Sequence, residues 1–382
     1  MDATVSNVPE IDPEEILEGV LAWVAVESPS TDAAAVNRMA DQVEAGMRQI
    51  GARIERMPGQ DGWGDILKAR TPWGGGGPGI LVLSHIDTVH PIGTIEAELQ
   101  VRRDGDRIYG PGIYDMKAGA YIAKYAYRHL VRHGRQTPLP ITFLYVPEEE
   151  VGSPTSRAII EAEALKNKYV LVTEPARDGG KVVTARKAVA RFVIRTRGRP
   201  SHAGARHQDG RSAIREMARQ ILRIEELTDY DRGITANVGL VAGGTMTNVV
   251  PAECSAEIDL RIPTTDHGEV LCEEILAYRG FDPDVAVEVE GGMNRPAYEK
   301  SEDIARLFDH AKDLAAEIGF DLQDCALTGG GSDGNFTAAL GIPTLDGLGA
   351  DGFGAHTLDE HIYFSSLRER TALMIRLFET LE

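Results

Sequence analysis

Gly79-Ile80-Leu81-Val82-Leu83-Ser84-His85-Ile86-Asp87-Thr88-Val89-His90-Pro91 joins an uninterrupted apolar run to a polar loop. A short apolar run bounded by glycine reads as an interior strand, so the polar residues emerge at its carboxyl end. Open α/β sheets place their ligands there. Side chains alternate along a strand, so His85 and Asp87 face the same way, as a metal-bound imidazole and the carboxylate orienting it would have to. Taken alone, a His-x-Asp at a strand end is also an ordinary hydrogen-bonded loop, and the pair needs support from the rest of the chain.

Working outward, the same arrangement recurs. Ile141 to Val146 is a strand pattern ending in Pro147-Glu148-Glu149-Glu150-Val151-Gly152, and Tyr169 to Thr173 is another ending in Glu174-Pro175. Three adjacent carboxylates repel one another, so at one strand end they need cations nearby. Tyr109-Gly110-Pro111-Gly112-Ile113-Tyr114-Asp115 is a turn-rich loop entering a helix that carries Ile122, Tyr125, Leu130 and Val131. Read by itself, Asp115 is a helix N-cap. Gly352-Phe353-Gly354-Ala355-His356-Thr357 precedes a C-terminal helix over Leu367 to Leu381.

Before the opening stretch, Asp12-Pro13-Glu14-Glu15 caps an amphipathic helix, and a second helix from Asp32 carries Val36, Met39, Val43 and Met47 and stops at Gly51. Arg53 to Met57 and Asp65 to Arg70 read as strands. Gly74-Gly75-Gly76-Gly77 reads as a flexible hairpin, since no Gly-Lys-Ser/Thr follows to make a phosphate cradle. From Lys181 the texture changes: Val182 to Arg197 alternates as one half-exposed strand, then helices near Ile214 and His267 mix with strands at 235–241, 252–262 and 285–289. The expectation is an α/β fold with a mixed, mostly parallel sheet flanked by helices, forming a catalytic domain over 1–180 and 295–382. A smaller α+β domain over 181–294 is inserted into it.

Composition limits the function classes. At 382 residues the chain exceeds the size of one hydrophobic core. The net charge of −19 repels nucleic acid and anionic membrane. Cys254, Cys272 and Cys325 lack Cys-x-x-Cys spacing and read as buried apolar residues rather than disulfides or a thiolate site. Met1 to Glu10 lacks a basic segment followed by an apolar one, and no run is long enough to span a membrane, so the expected location is cytoplasmic.

His85, Asp115, Glu150, Glu174 and His356 are oxygen and imidazole donors from five loops, a set that suits two divalent ions such as zinc, manganese or cobalt. A carboxylate can bridge such a pair. These segments resemble the dinuclear zinc carboxypeptidase and aminoacylase family, with acetylornithine deacetylase and succinyl-diaminopimelate desuccinylase among its relatives and bacterial glutamate carboxypeptidase nearest by motif. The resemblance implies that His85 and Glu174 bind one ion, Glu150 and His356 the other, and that Asp115 bridges both. It implies that Asp87 orients His85 and that Glu149 is the general base and acid, from the order Glu149-Glu150-Val151-Gly152, which leaves Glu148 outside the ligand set.

The family's smaller domain dimerises and covers the site. By resemblance, His202 of Ser201-His202-Ala203-Gly204 stabilises an oxyanion in the partner's site, Asn248 and Arg261 grip a substrate carboxylate, and Gly330 lies in a backbone loop at that carboxylate. Two departures stand out: Tyr114 beside Asp115, and Arg206-His207-Gln208 after Ser-His-Ala-Gly. Arg261, Lys181 and the Arg206-His207 pair favour a small anionic substrate, and the resemblance implies a homodimer. The expected reaction is C–N hydrolysis, first an amide releasing a C-terminal amino acid such as glutamate. A second reading is an aminohydrolase of an aromatic amino acid such as a nitroanthranilate, with Tyr114 stacking on its ring, and a third is a catalytically silent dimeric binding protein.

Overall fold

The computed structural model describes residues 10–382; the reading of the N-terminal leader falls mostly on residues outside that range. The chain folds into two compact units. The first comprises the residues through Ala185 with Lys300–Ala326 and Ser332–Glu382; the second comprises Arg186–Glu299 with Leu327–Gly331.

A six-stranded mixed sheet organises the first unit, in the spatial order Arg53–Met57, Ile66–Arg70, Ile141–Val146, Gly79–His85, Asn167–Val172, Thr344–Leu345. The last four run parallel to one another, and Ile66–Arg70 runs antiparallel to both of its neighbours. Gly79–His85 is buried along its whole length, as a strand covered on both faces must be. Its side chains alternate between two cores. Ile80 and Val82 pack with the helices Pro13–Val24, Ala33–Gln49, Ala118–Arg132 and Phe364–Thr380. Leu81 and Leu83 pack with Ile160, Ala164 and Phe336 on the other face. Burying each such side chain contributes about 1.5–3 kcal/mol. The expected caps form: Asp12 accepts from the Glu14 N–H at 2.9 Å and Asp32 from the Ala35 N–H at 3.0 Å.

Gly74–Gly77 does not close a hairpin. The strands it joins are not neighbours, because Ile141–Val146 inserts between them, antiparallel to one and parallel to the other. Asp115 is not a helix cap either; the helix begins at Ala118 without a side-chain cap.

The second unit is an antiparallel four-stranded sheet in the order Thr235–Gly243, Glu253–Ile262, Ala188–Arg197, Ala286–Arg295. The helices Ala213–Glu225 and Thr265–Leu276 bury one face, so Cys254, Ala256, Ile258, Leu260 and Ile262 point inward while the residues between them do not. The single strand expected over Val182 to Arg197 is broken. Val182–Val183 pairs with Asp324–Cys325 in the first unit, and only Ala188–Arg197 joins this sheet. The last strand extends beyond the expected Val289 to Arg295 through Gly291, where a Cβ would lie 2.1 Å from the Arg191 carbonyl oxygen. The compact second unit spans Arg186–Glu299 and takes in Gly330 through Leu327–Gly331. All three cysteines are buried and free.

Glu148 explains why an acidic triple is tolerated at the end of Ile141–Val146. It is fully buried, and its Oε1 accepts from the N–H and hydroxyl of Thr155 (both 3.0 Å) and of Ser156 (2.7 and 2.8 Å), at the start of the helix Arg157–Ala164. Glu148→Ala is expected to lower unfolding stability by about 2–4 kcal/mol, since hydrogen bonds to a charged group are lost and buried donors are left without partners. Glu148→Gln keeps the acceptor at Oε1 and is expected to cost less than half as much. Urea unfolding of the two variants checks this, and equal losses would contradict the assignment of Oε1.

Candidate metal centre

Three adjacent parallel strands of the first unit bring their carboxyl ends side by side. His85 ends Gly79–His85, the turn Glu149–Val151 follows Ile141–Val146, and Glu174 follows Asn167–Val172. The loop 113–117 adds Asp115, and the loop before His361–Tyr363 adds His356, whose backbone takes the left-handed conformation at φ 64°. The two oxygens of Asp115 face different imidazoles: Oδ1 lies 3.2 Å from His85 Nε2 and Oδ2 lies 3.5 Å from His356 Nε2. His85 Nε2 is also 3.8 Å from Glu174 Oε1, and His356 Nε2 is 3.0 Å from Glu150 Oε2. Two imidazole–carboxylate pairs thus share one carboxylate.

Asp87 is fully buried and acts on two neighbours at once. Its backbone carbonyl meets His85 Nδ1 at 3.0 Å, while its carboxylate accepts from Ser30 Oγ at 2.6 Å and from the N–H groups of Glu149 and Glu150 at 3.2 Å each. The carboxylate is 3.4 Å from His85 Nδ1. Asp87 therefore sets the acidic turn as well as the imidazole. Glu149 is buried, with a carboxylate oxygen close to the donors of His85 and Glu174. By proximity alone it qualifies as a ligand as readily as Glu150; the two differ in that Glu150 also faces His356.

The electrostatics reflect carboxylates crowded out of water. Burial, then the charge of Asp115, pushes Glu150 up to about 8, and the same two causes raise Glu174 well above the usual carboxylate range. Burial also opposes ionisation of Asp115, but hydrogen bonds from His356 and His85 and the charge of Arg177 hold it below its ordinary value. Hydrogen bonds to Asp115 and Glu150 raise His356 to about 11 against the effect of burial. His85 is likewise raised, burial being outweighed by Asp115 and Asp87.

This donor set fits divalent ions. A tetrahedral ion with ~2.0 Å bonds holds its ligand atoms roughly 3.3 Å apart, and the facing atoms here are 3.0–3.8 Å apart. Glu150 Oε1 is buried with no hydrogen-bond partner among the described residues, as an atom reserved for a metal would be.

Of the other expected residues, Tyr114 and Lys181 belong to the first unit, and His202, Asn248, Arg261 and Gly330 to the second. Tyr114 is 5% exposed within the larger core, and its hydroxyl donates to the Ala176 carbonyl at 2.5 Å. It offers no open face for stacking on a ring. Lys181 closes a backbone hairpin with Arg177, at 2.8 and 2.6 Å, and its charge is felt at Cys325. Arg177 is a cation that acts on both Asp115 and Tyr114, and its Nε is buried without a hydrogen-bond partner among the described residues. His202 Nδ1 accepts from the N–H groups of Gly204 and Ala205, both at 3.1 Å, which leaves its ring proton on the exposed Nε2. The Asn248 carbonyl accepts from the Ala203 N–H at 2.9 Å, so these two residues are neighbours. Arg261 already holds Asp259 through Nε (2.6 Å) and Nη2 (2.8 Å), with Nη1 on the Gly329 carbonyl at 3.2 Å. The Gly330 carbonyl accepts from Arg186 Nη1 at 2.8 Å.

Reading the sequence missed Ser30, His90, Arg177 and Glu360. His90 lies within the opening stretch, where its spacing from His85 was the available signal. The others carry none, because their partners are distant in the chain.

The profile of the peptidase family M20/M25/M40 matches residues 81–380. The chain is 30% identical over 359 residues to carboxypeptidase G2 of Pseudomonas sp. (strain RS-16), covering 93% of this chain and 86% of that protein. The M20 family metallo-carboxypeptidase Sso-CP2 from Sulfolobus solfataricus shares the fold, with a TM-score of 0.76 at 18% identity over 97% of this chain and all of that one. So does the Bacillus subtilis YXEP protein, described as a dinuclear metal binding peptidase from the M20 family, with a TM-score of 0.66 at 15% identity over 96% of this chain and 100% of that one. A profile match over most of the chain, together with paired imidazoles and carboxylates at the strand ends, identifies the chain as a metallohydrolase belonging to peptidase family M20/M25/M40.

Proposed function

We propose that this metallohydrolase cleaves a C–N bond in a small carboxylate-bearing substrate, an amide whose hydrolysis releases a C-terminal amino acid such as glutamate. The observation that carries the reading is the sharing of Asp115 between two imidazole–carboxylate pairs. His85 and Glu174 would hold one divalent ion, Glu150 and His356 the second, and Asp115 would serve both; zinc is the first choice, with manganese and cobalt compatible with this donor set. Ions held by these residues would supply a water of lowered pKa, towards about 7, and Lewis acidity at the scissile carbonyl. Glu149 takes the proton from the attacking water and delivers it to the leaving nitrogen. Asp87 keeps the Glu149 backbone in place for both transfers. The name of the carboxypeptidase relative supports the amide, and the buried ring of Tyr114 removes the stacking argument for an aromatic amine.

The substrate carboxylate is met by a cation. Arg261, on the second unit, keeps donors beyond those used on Asp259 and Gly329. His202, through Nε2, serves as oxyanion donor in a partner's site, with Asn248 and Gly330 completing the carboxylate subsite. A homodimer through the second unit is supported by its edge strand Thr235–Gly243, which exposes Leu240 and Val241 at 62% and 60%.

Glu149→Gln is expected to reduce turnover by at least about 10²–10⁴-fold while leaving metal content unchanged; elemental analysis beside a rate assay checks both, and near-normal turnover would remove Glu149 from this role. Metal affinity should rise with pH. With Glu150 near 8 and His356 near 11 in the ion-free protein, an entering ion must displace their protons, and acid favours the protons. Below pH 8 the apparent affinity should fall roughly tenfold per pH unit for each proton displaced, measured by competition with a chelating dye at pH 6, 7 and 8; a flat profile would contradict it. N-acyl amino acids, glutamyl peptides, folate and amino-substituted benzoates, assayed with zinc and with manganese, test the substrate. Release of ammonia from an aminobenzoate with every amide left intact would replace the amide reading by aromatic deamination, and no turnover of any kind would favour the silent binding protein.

A further inference from the structure

Glu360 is 1% exposed, and its carboxylate lies where three loops of the first unit meet. Oε1 accepts from the N–H groups of Tyr114 (2.9 Å) and Asp115 (3.0 Å). Oε2 accepts from the Gly112 N–H (2.9 Å) and from His90 Nε2 (2.7 Å). A carboxylate has about four lone-pair sites, so its capacity is filled. A carboxylate this deeply buried is tolerated only with such complete partnering. Lys117, also buried, is close enough for its charge to be felt with those of Glu360, Glu27 and Asp87.

The three loops are the ones that carry metal donors. His90 follows His85 and Asp87 in the opening stretch, Gly112 to Asp115 is the segment that ends in the shared carboxylate, and Glu360 lies four residues after His356. No helix or strand fixes residues 110–112 or 354–360 by its own ladder of hydrogen bonds. The strand pair Arg107–Tyr109 and His361–Tyr363 and a backbone bond from the Gly110 N–H to the Glu360 carbonyl (3.4 Å) bring the bases of these two loops together; beyond that point the Glu360 side chain makes the contacts that reach the backbone of the shared residue itself. Asp115 stands 3.2 Å from one imidazole and 3.5 Å from the other, so a small shift of its backbone unbalances the two positions.

We propose that Glu360, seated by His90, is a positioning residue of the metal centre: it sets the distance of Asp115 from His85 and His356 before any ion binds. The inference rests on the metal reading given above. It concerns affinity and pre-organisation, and Glu360 touches no reacting atom.

The test uses the full chain, stripped of metal with a chelator and titrated with Zn²⁺ or Mn²⁺ against a competing dye, with the thermal midpoint of the stripped protein measured in parallel. Glu360→Gln replaces one oxygen by an NH₂ group, which confronts two donors in either orientation. His90→Leu removes the donor to Oε2, whereas His90→Gln keeps one. Glu360→Gln and His90→Leu are expected to weaken ion binding about 10–100-fold, the range for partners that orient metal ligands, with His90→Gln close to wild type. If Glu360→Gln does not fold, the His90 pair decides. Wild-type affinity in Glu360→Gln and His90→Leu, whatever happens to the midpoint, would reduce the brace to ordinary packing and overturn this inference alone. Failure of the wild-type protein to take up either ion would instead overturn the metal reading beneath it.

Discussion

Mutual repulsion among buried carboxylates is the constraint on which the site depends. Donor atoms of His85, Glu149 and Glu174, and of His85, Asp115 and Glu150, lie within 4.8 Å of one another in each group. Two like charges at that separation repel by about 3 kcal/mol at an effective dielectric constant near 20, and several such pairs are stacked together here. The charge is divided accordingly: Asp115 stays ionised between two imidazoles, while Glu150 and Glu174 are driven towards the protonated form. Protonation of Glu150 and Glu174 relieves the repulsion that a divalent cation would otherwise offset, so ion binding at the proposed centre would be coupled to proton release.

The fold makes such crowding possible. Parallel neighbours deliver their carboxyl ends to one edge, and both faces of the sheet are covered, so the strands supplying His85, the acidic turn and Glu174 cannot move apart without opening two cores. Backbone donors then do what side-chain cations do not. Asp87 receives the amides of Glu149 and Glu150, and Glu148 receives those of Thr155 and Ser156, so two of the acidic groups are spent on holding the others still. Adjacent glutamates in the chain therefore have separate tasks: Glu148 fixes a helix start, and Glu149 and Glu150 face the centre.

Much of this was legible because the signals were local. The apolar run before His85 and the repeated pattern of strand then carboxylate each depend on a few adjacent residues, and the structure has both. Errors arose where tertiary context overrode local pattern. Gly74–Gly77 looks like a hairpin until a distant strand inserts between its flanks, and Val182 to Arg197 alternates evenly although the chain changes unit within it. The glycines at 291 and 292 hid the end of a strand because they break the apolar alternation while allowing close backbone approach. Glu360 was invisible for a different reason: its partners are some 245 to 270 residues earlier in the chain, and no spacing rule joins them.

Tyr114 and Arg177 show how far site and specificity differ in this respect. Both lie near residues of the candidate metal centre, and a sequence reading gives Tyr114 to the substrate because an aromatic ring beside a metal is a familiar platform. The ring is instead packed in the core with its hydroxyl held by Ala176, so it supports the wall of the site. Arg177, adjacent to that carbonyl's residue, has the opposite character: a cation with a buried nitrogen left without a partner among the described residues, acting on Asp115. Donor residues are dictated by the chemistry of the ions and recur in recognisable motifs. The groups that meet a substrate need only face the right way, and a turn of two or three residues decides which of several nearby cations does so. On the proposed reading, the strand ends carry the reaction class and the loops beside them the choice of substrate.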